Sequence, residues 1–276
     1  MKSFTKTISI AGKDLVFETG KIARLANGAV TLQAGETILL ATACRGSIPS
    51  EDTNFLPLRV DYQEKFSSTG KTLGGFIKRE GKPTERETLV CRLMDRPLRP
   101  MFEDGFYNDV QVLAYVLSYD GIHGPEPLAI CAASAALVIS DIPLIKPIGA
   151  VRVGLINDNF VVNPSVEEMK TSRLDLILAG TEDAILMIEG FADFLTEEQV
   201  LMALEEGHAA IKIICEGLSD WQKEVGKTKD RSELKMPPEG LLEKVEHLVS
   251  TELHSHLKIK KKNKETLLYA KQKKKL

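Results

Sequence analysis

Residues 128–139, LAICAASAALVI, are apolar on every side of the helix they predict. A helix with no polar face is stable only where other elements cover it all round. Its many alanines let those neighbours come close. The segment therefore predicts a central buried helix, and the rest of the chain must supply layers around it.

The flanks read as those layers. Upstream, residues 2–10 alternate as a strand, Ala11-Gly12 turns, and residues 15–18 alternate back. Residues 29–32, 37–44 and 58–62 predict further strands, residues 46–54 a polar loop containing Pro49, and residues 110–118 a largely apolar strand. Downstream, residues 148–156 and 160–162 predict a hairpin across Asn157-Asp158-Asn159, and residues 174–179 with 184–189 a second strand pair. Thr196-Glu197-Glu198-Gln199 fits a capping box that opens a helix running to about Cys215 and beyond. Strands then a helix, twice over, is the order of an α+β domain.

Chemistry concentrates in residues 74–100, GGFIKREGKPTERETLVCRLMDRPLRP. Seven basic residues (Lys78, Arg79, Lys82, Arg86, Arg92, Arg96, Arg99) outweigh four acids (Glu80, Glu85, Glu87, Asp95). Gly74 and Gly75 predict a loop. Thr84-Glu85-Arg86-Glu87 fits a second capping box, and Leu89, Val90, Leu93 and Met94 give the helix that follows one apolar face. Arg92 and Arg96 stand one above the other beside that face. Pro97 predicts a helix end near Arg96, because the residue before proline avoids helical angles, and places Arg99 on the next turn. Basic side chains beside an aromatic on a glycine-flanked loop suit a nucleic-acid backbone and a stacked base. The plainer alternative, arginines paired with nearby acids on a solvated surface, is disfavoured by the acidity of the remainder. The chain carries −3 overall, yet residues 258–276 hold nine lysines and one glutamate, +8, so everything before them carries −11. An acidic body meets a polyanion only through a focused positive strip.

Other features narrow the reading. With 276 residues, 43% hydrophobic and 27% charged, the chain suits one large domain plus a smaller appendage. No apolar run is long enough to span a bilayer, and the N-terminus lacks a signal peptide's apolar core. Cys44, Cys91, Cys131 and Cys215 are scattered without a CxxC pair and read as reduced, mostly buried thiols of a cytoplasmic protein. Gly70-Lys71-Thr72 ends like a P-loop, but Lys65 stands where that motif needs glycine. His123, alone in the turn over residues 121–127, reads as a surface residue, and His254 and His256, two apart, are poorly placed to share a metal. The domain is expected over residues 1–225, a linker over 226–238, the start of a helical domain over 239–257, and a disordered lysine-rich tail over 258–276.

The run over residues 74–100 resembles the N-terminal portion of the bacterial polynucleotide phosphorylases. So do PLRVDYQEKF before it, GKIARLANGAV, PIGAVRVGLINDNFVVNP, and LDLILAGTEDAILMIEG with the helix that follows, so that the likeness reaches about residue 257. The resemblance implies an α+β ribonuclease-PH-like domain followed by part of a small all-helical domain. It implies the N-terminal part of an enzyme that degrades RNA from the 3′ end with inorganic phosphate and Mg2+, releasing nucleoside diphosphates in mRNA turnover. That enzyme is a homotrimeric ring around a channel for single-stranded RNA, with no membrane partner. Phe76, Lys78, Arg79, Arg92, Arg96 and Arg99 match its RNA-binding positions; Ile77 replaces a second aromatic, and Lys78 an arginine. The family's phosphate-binding serines and metal-binding aspartates belong to a second such domain, so no catalytic or metal residue is assigned here. The chain alone is expected to be inactive, with a truncated or frame-altered end after residue 257. The alternatives are a non-catalytic RNA-binding or assembly fragment and a single-domain ribonuclease PH; the helical segment after Pro238 speaks against the latter.

Overall fold

The computed structural model describes residues 3–48, 53–76 and 79–258. Lys2, Ile77, Lys78, the middle of the loop around Pro49 and the lysine-rich tail after Lys258 lie outside the described residues. The chain forms two compact units, Met1–Leu234 and Lys235–Leu276.

In the first unit, β1 (Phe4–Ile10), β2 (Lys13–Thr19), β3 (Gly28–Ala34), β4 (Thr37–Arg45), β5 (Leu58–Glu64) and β6 (Val110–Ser118) form one sheet in the order β1-β2-β3-β4-β6-β5. Ala11 and Gly12 turn between β1 and β2 with φ of 48° and 75°, the left-handed angles a tight hairpin demands. β3 and β4 bury every other side chain, the two-residue period the sequence carries. β5 runs parallel to β6, whereas the other neighbours in this sheet are antiparallel. A parallel pair needs a long crossover; here it contains the glycine-flanked loop and helix α1 (Glu85–Leu98).

Helix α2 (Pro125–Ile139) is buried along its whole length. It packs against β3, β4 and β6 of the first sheet and against β7 and β9 of a second. The approach to β3 is close enough that a Cβ on Gly28 would lie 2.0 Å from the Ala136 carbonyl oxygen. Truncating a core residue such as Leu137 to alanine in this setting costs about 2–5 kcal/mol.

The second sheet takes the order β10-β9-β7-β8, from β7 (Gly149–Ile156), β8 (Asn159–Val162), β9 (Leu174–Gly180) and β10 (Ile185–Ala192). Asn157 and Asp158, with φ of 50° and 58°, make the β7–β8 turn. Short helix α3 (Val166–Met169) opens with a Ser165–Glu168 capping box. Helix α4 (Glu197–Val225) opens with the Thr196–Gln199 box and lies on β7, β9 and β1. Its Trp221 is fully buried, with its ring centroid 6.0 Å from that of Phe17 on β2. Cys131 and Cys215 are buried, Cys91 partly so, and Cys44 is exposed; burial pushes the Cys131 and Cys215 thiols up to about 12.

Two local expectations need correction. α1 does not stop at Arg96: it runs through Pro97 to Leu98 and continues as a 3-10 turn over Arg99–Met101. Both Pro97 and Leu98 are buried, and that packing outweighs the local preference of the residue before proline. The stretch after α4 is not a free linker in its first half. Lys227 N–H donates to Ile139 O, and the Lys229 ammonium donates to Leu137 O, Val138 O and Ser140 O at 2.8, 3.0 and 2.8 Å, capping the C-terminus of α2. Asp230 pairs with Arg45 at 2.8 Å and Arg231 with Glu103 at 2.6 Å. Residues 227–234 are therefore a strap bound to the first unit.

In the second unit, α5 (Leu241–Leu257) follows Gly240, whose φ is 75°. None of its residues is buried. Among the described residues, no helix is long and apolar enough to cross a membrane.

Candidate functional site

The parallel pair fixes where the basic stretch sits. β5 and β6 end on the same side, and the chain leaving β5 enters the basic stretch from there. There Lys65 N–H donates to Val116 O, and Tyr119 N–H to Ser68 O. Beyond those ends lies an open cleft of about 440 Å³, lined by Glu64, Lys65, Arg86, Tyr119 and Pro125 among others. The loop carrying Phe76 and Arg79 leaves from its rim.

Helix α1 begins beside this cleft with the capping box its sequence announces. Glu87 N–H donates to Thr84 Oγ1 at 3.2 Å, and Thr84 N–H donates to Glu87 Oε2 at 2.7 Å. Burial pushes the Glu87 carboxyl up, but the N–H groups of Thr84 and Glu64 and the Thr84 hydroxyl outweigh it and hold the group below its ordinary value. Glu87 thus stays charged at the helix's positive end.

The six RNA-binding candidates meet different fates. Phe76 is wholly exposed, with its ring free to stack. Lys78 lies outside the described residues. Arg79 and Arg92 are exposed, and among the described residues neither makes an ion pair. Arg96 reaches across to β10, its Nη1 2.6 Å from Glu189 Oε2. Arg99 is occupied: its Nε and Nη2 take both Asp95 oxygens at 3.1 and 2.6 Å, and Nη1 and Nη2 donate to Leu56 O and Leu58 O at 3.1 and 3.2 Å. It ties α1 to the start of β5.

The sequence reading did not single out the charges that run from the cleft into the adjoining recess lined by Glu126 and Arg152. Arg86 Nη2 lies 2.5 Å from Glu126 Oε1, and its Nε 3.3 Å from Glu64 Oε1. Burial pulls this guanidinium down, while Glu126 and Glu64 beside it more than offset that and leave it raised. Arg152 binds Asp175 through two hydrogen bonds of 2.7 Å, and its Nη1 lies 3.7 Å from Glu126 Oε2. Glu126 Oε2 itself is buried and accepts no hydrogen bond. The partners come from separate strands and helices, so no local spacing signals them.

Mg2+ and inorganic phosphate do not fit these residues. Among the described residues, no group of three or more His, Cys, Asp or Glu is placed to hold a metal ion. The N-terminus of α2, which opens on the cleft, is the natural anion seat. Pro125 and Pro127 there have no N–H to donate, and the Glu126 carboxylate, only 7% exposed, already brings negative charge. In the cleft the Arg86 guanidinium is thus held by Glu126 and Glu64.

A β-sheet, a buried alanine-rich helix and a second sheet, with a cationic loop at the carboxyl ends of a parallel pair, match a known class. Residues 11–143 fit domain 1 of the 3′ exoribonuclease family and residues 146–210 its domain 2, and the chain belongs to that family. Within it, the chain is similar to the N-terminal portion of the polyribonucleotide nucleotidyltransferases. It is 60% identical over 264 residues to that of Protochlamydia amoebophila (strain UWE25), covering 96% of this chain and 38% of the relative. Identity to the same enzyme of Chlamydia pneumoniae is 57% over 260 residues, with 93% and 37% covered. The chain thus spans little more than a third of the length of these curated relatives. A crystal structure of rice (Oryza sativa) Rrp46 shares the fold, with a TM-score of 0.57 at 17% identity, covering 80% of this chain and 93% of that one.

Proposed function

We propose that this chain acts as the N-terminal part of a phosphate-dependent 3′-to-5′ exoribonuclease that degrades RNA to nucleoside diphosphates in mRNA turnover. This half contributes the grip on single-stranded RNA and part of a ring. The reading rests on one observation: an exposed aromatic-and-arginine loop, with Arg92 open on α1, in a chain 60% identical to a polyribonucleotide nucleotidyltransferase. Phe76 stacks on a base while Arg79 and Arg92 contact phosphates; Arg96 joins them once released from Glu189. Arg99 holds α1 in place. In the longer enzyme, phosphate and Mg2+ act in a second ribonuclease-PH-like domain that residues 1–276 do not include, the assembly is a homotrimer, and the setting is cytoplasmic.

The same cleft supports a narrower reading of the chain by itself. With the Glu126 carboxylate buried at the α2 N-terminus, we infer that the chain alone binds RNA without cutting it. The test is phosphate-dependent release of nucleoside diphosphates from single-stranded RNA, by this chain and by a longer form carrying a second ribonuclease-PH-like domain. Release by the longer form alone, with salt-sensitive RNA binding by both, is the expected result. No release by either form defeats the enzyme reading; no RNA binding at low salt defeats both.

A further inference from the structure

The glycines along the loop that carries Phe76 and Arg79 stand in open space. A Cβ added at Gly70, Gly74, Gly75 or Gly81 would meet nothing within 4 Å. A recess of about 390 Å³ separates its return limb, at Glu80 and Lys82, from the end of β5. What holds the loop is polar, and it is concentrated at the base.

Two carboxylates bridge the limbs there. Glu87 Oε1 accepts from Glu64 N–H at 2.9 Å while its other oxygen caps Thr84. Glu80 spans the gap higher up: Oε1 accepts from Phe66 N–H at 3.1 Å, and Oε2 accepts from the Lys65 ammonium at 3.1 Å. Lys65 is a firm anchor, since it also donates to Gln63 Oε1 at 2.8 Å and sits 4.4 Å from the centroid of the Tyr115 ring. The hydrogen bonds from Lys65 and Phe66 hold the Glu80 carboxyl below its ordinary value, so the clip is charged at neutral pH.

We propose that Glu80 is a positioning residue: it clips the return limb to Lys65 and Phe66, and so holds the neighbouring Arg79 where it meets RNA. This rests on the RNA-binding reading above and names what shapes that surface. The charge of Glu80 makes the idea sharply testable. By long-range electrostatics alone, removing an acid beside Arg79 strengthens binding to a polyanion. The clip requires the opposite.

The experiment compares the parent chain with Glu80→Ala, Glu80→Gln and Lys65→Met, by limited trypsin cleavage at Lys71 and Arg79 and by titration with a single-stranded RNA oligomer. Loss of two charge-assisted hydrogen bonds predicts that Glu80→Ala speeds loop cleavage about tenfold and weakens RNA binding roughly three- to tenfold. Glu80→Gln, whose amide oxygen still accepts from Phe66 N–H, recovers part of both. Lys65→Met speeds cleavage as Glu80→Ala does, and the double variant is no faster than either. Unchanged cleavage in Glu80→Ala, or RNA binding that tightens, overturns the proposal. If the parent binds no RNA, the functional reading falls, and the cleavage rates alone decide whether Glu80 is the clip.

Discussion

Arg96 of α1 and Glu189 of β10 meet at 2.6 Å, joining the helix of the basic stretch to the edge strand of the second sheet. Both side chains are about half exposed, at 48% and 55%, so the pair is weak and open to competition by a phosphate. An exposed pair of this kind contributes about 0.2–1 kcal/mol. Glu189→Gln is therefore expected to free Arg96 and tighten RNA binding up to about fivefold at low salt. Fluorescence anisotropy with a labelled oligonucleotide measures it; unchanged affinity would place Arg96 outside the binding surface.

Arg79 and Arg92, open to solvent, are expected to act through phosphate contacts, and Phe76 through stacking. Arg79→Ala and Arg92→Ala should each lower the slope of log affinity against log salt by about 0.7. Phe76→Ala should weaken binding by about 1–3 kcal/mol per stacked base and leave that slope unchanged. Affinities measured over a series of salt concentrations separate the two roles.

Arg99 is expected to behave as a structural residue. Its guanidinium serves Asp95 and two backbone carbonyls, so Arg99→Ala should cost about 1–3 kcal/mol of stability. Arg99→Lys should restore little, because an ammonium cannot reproduce the planar fork. Thermal melting reads the loss; a variant as stable as the parent with sharply weakened RNA binding would reverse this assignment.

The strap offers a test in pH. Burial pushes the Lys229 ammonium down to about 8 from an ordinary value of 10.5. Between those values the unfolded chain holds more protons than the folded one, so this group makes stability rise as pH climbs from about 8 towards 10.5. Lys229→Met should erase that slope in a comparison of the two proteins. It should also cost about 2–3 kcal/mol at neutral pH, since it removes the ammonium that donates to three carbonyls at the C-terminus of α2. Urea unfolding across that range decides both points.

Local signals made much of the fold readable. The strand over Val110–Ser118 shows itself as a largely apolar run, α2 by its uniform apolarity, and Thr84 and Thr196 open their capping boxes. The Ser165–Glu168 box was within reach of the same rule, though the helix it opens is only four residues long. What escaped depends on distance. The parallel β5–β6 pairing, the Arg96–Glu189 bridge and the Glu126 network join residues far apart in sequence. The strap escaped because it is held by lysine and arginine tips reaching carbonyls and carboxylates, which leaves no hydrophobic period to read. Within the site, the basic strip was legible as composition, but which of its arginines are spent internally was not.

Because β5 and β6 run the same way, the chain between them must travel back the full height of the sheet, and the excursion past Phe76 hangs on that obligatory journey. Closing a longer excursion costs little, about 0.6 kcal/mol for each doubling. Foreign sequence is therefore accepted here at little cost. A tag or an altered recognition segment spliced between Gly70 and Gly75 would ride on an undisturbed scaffold.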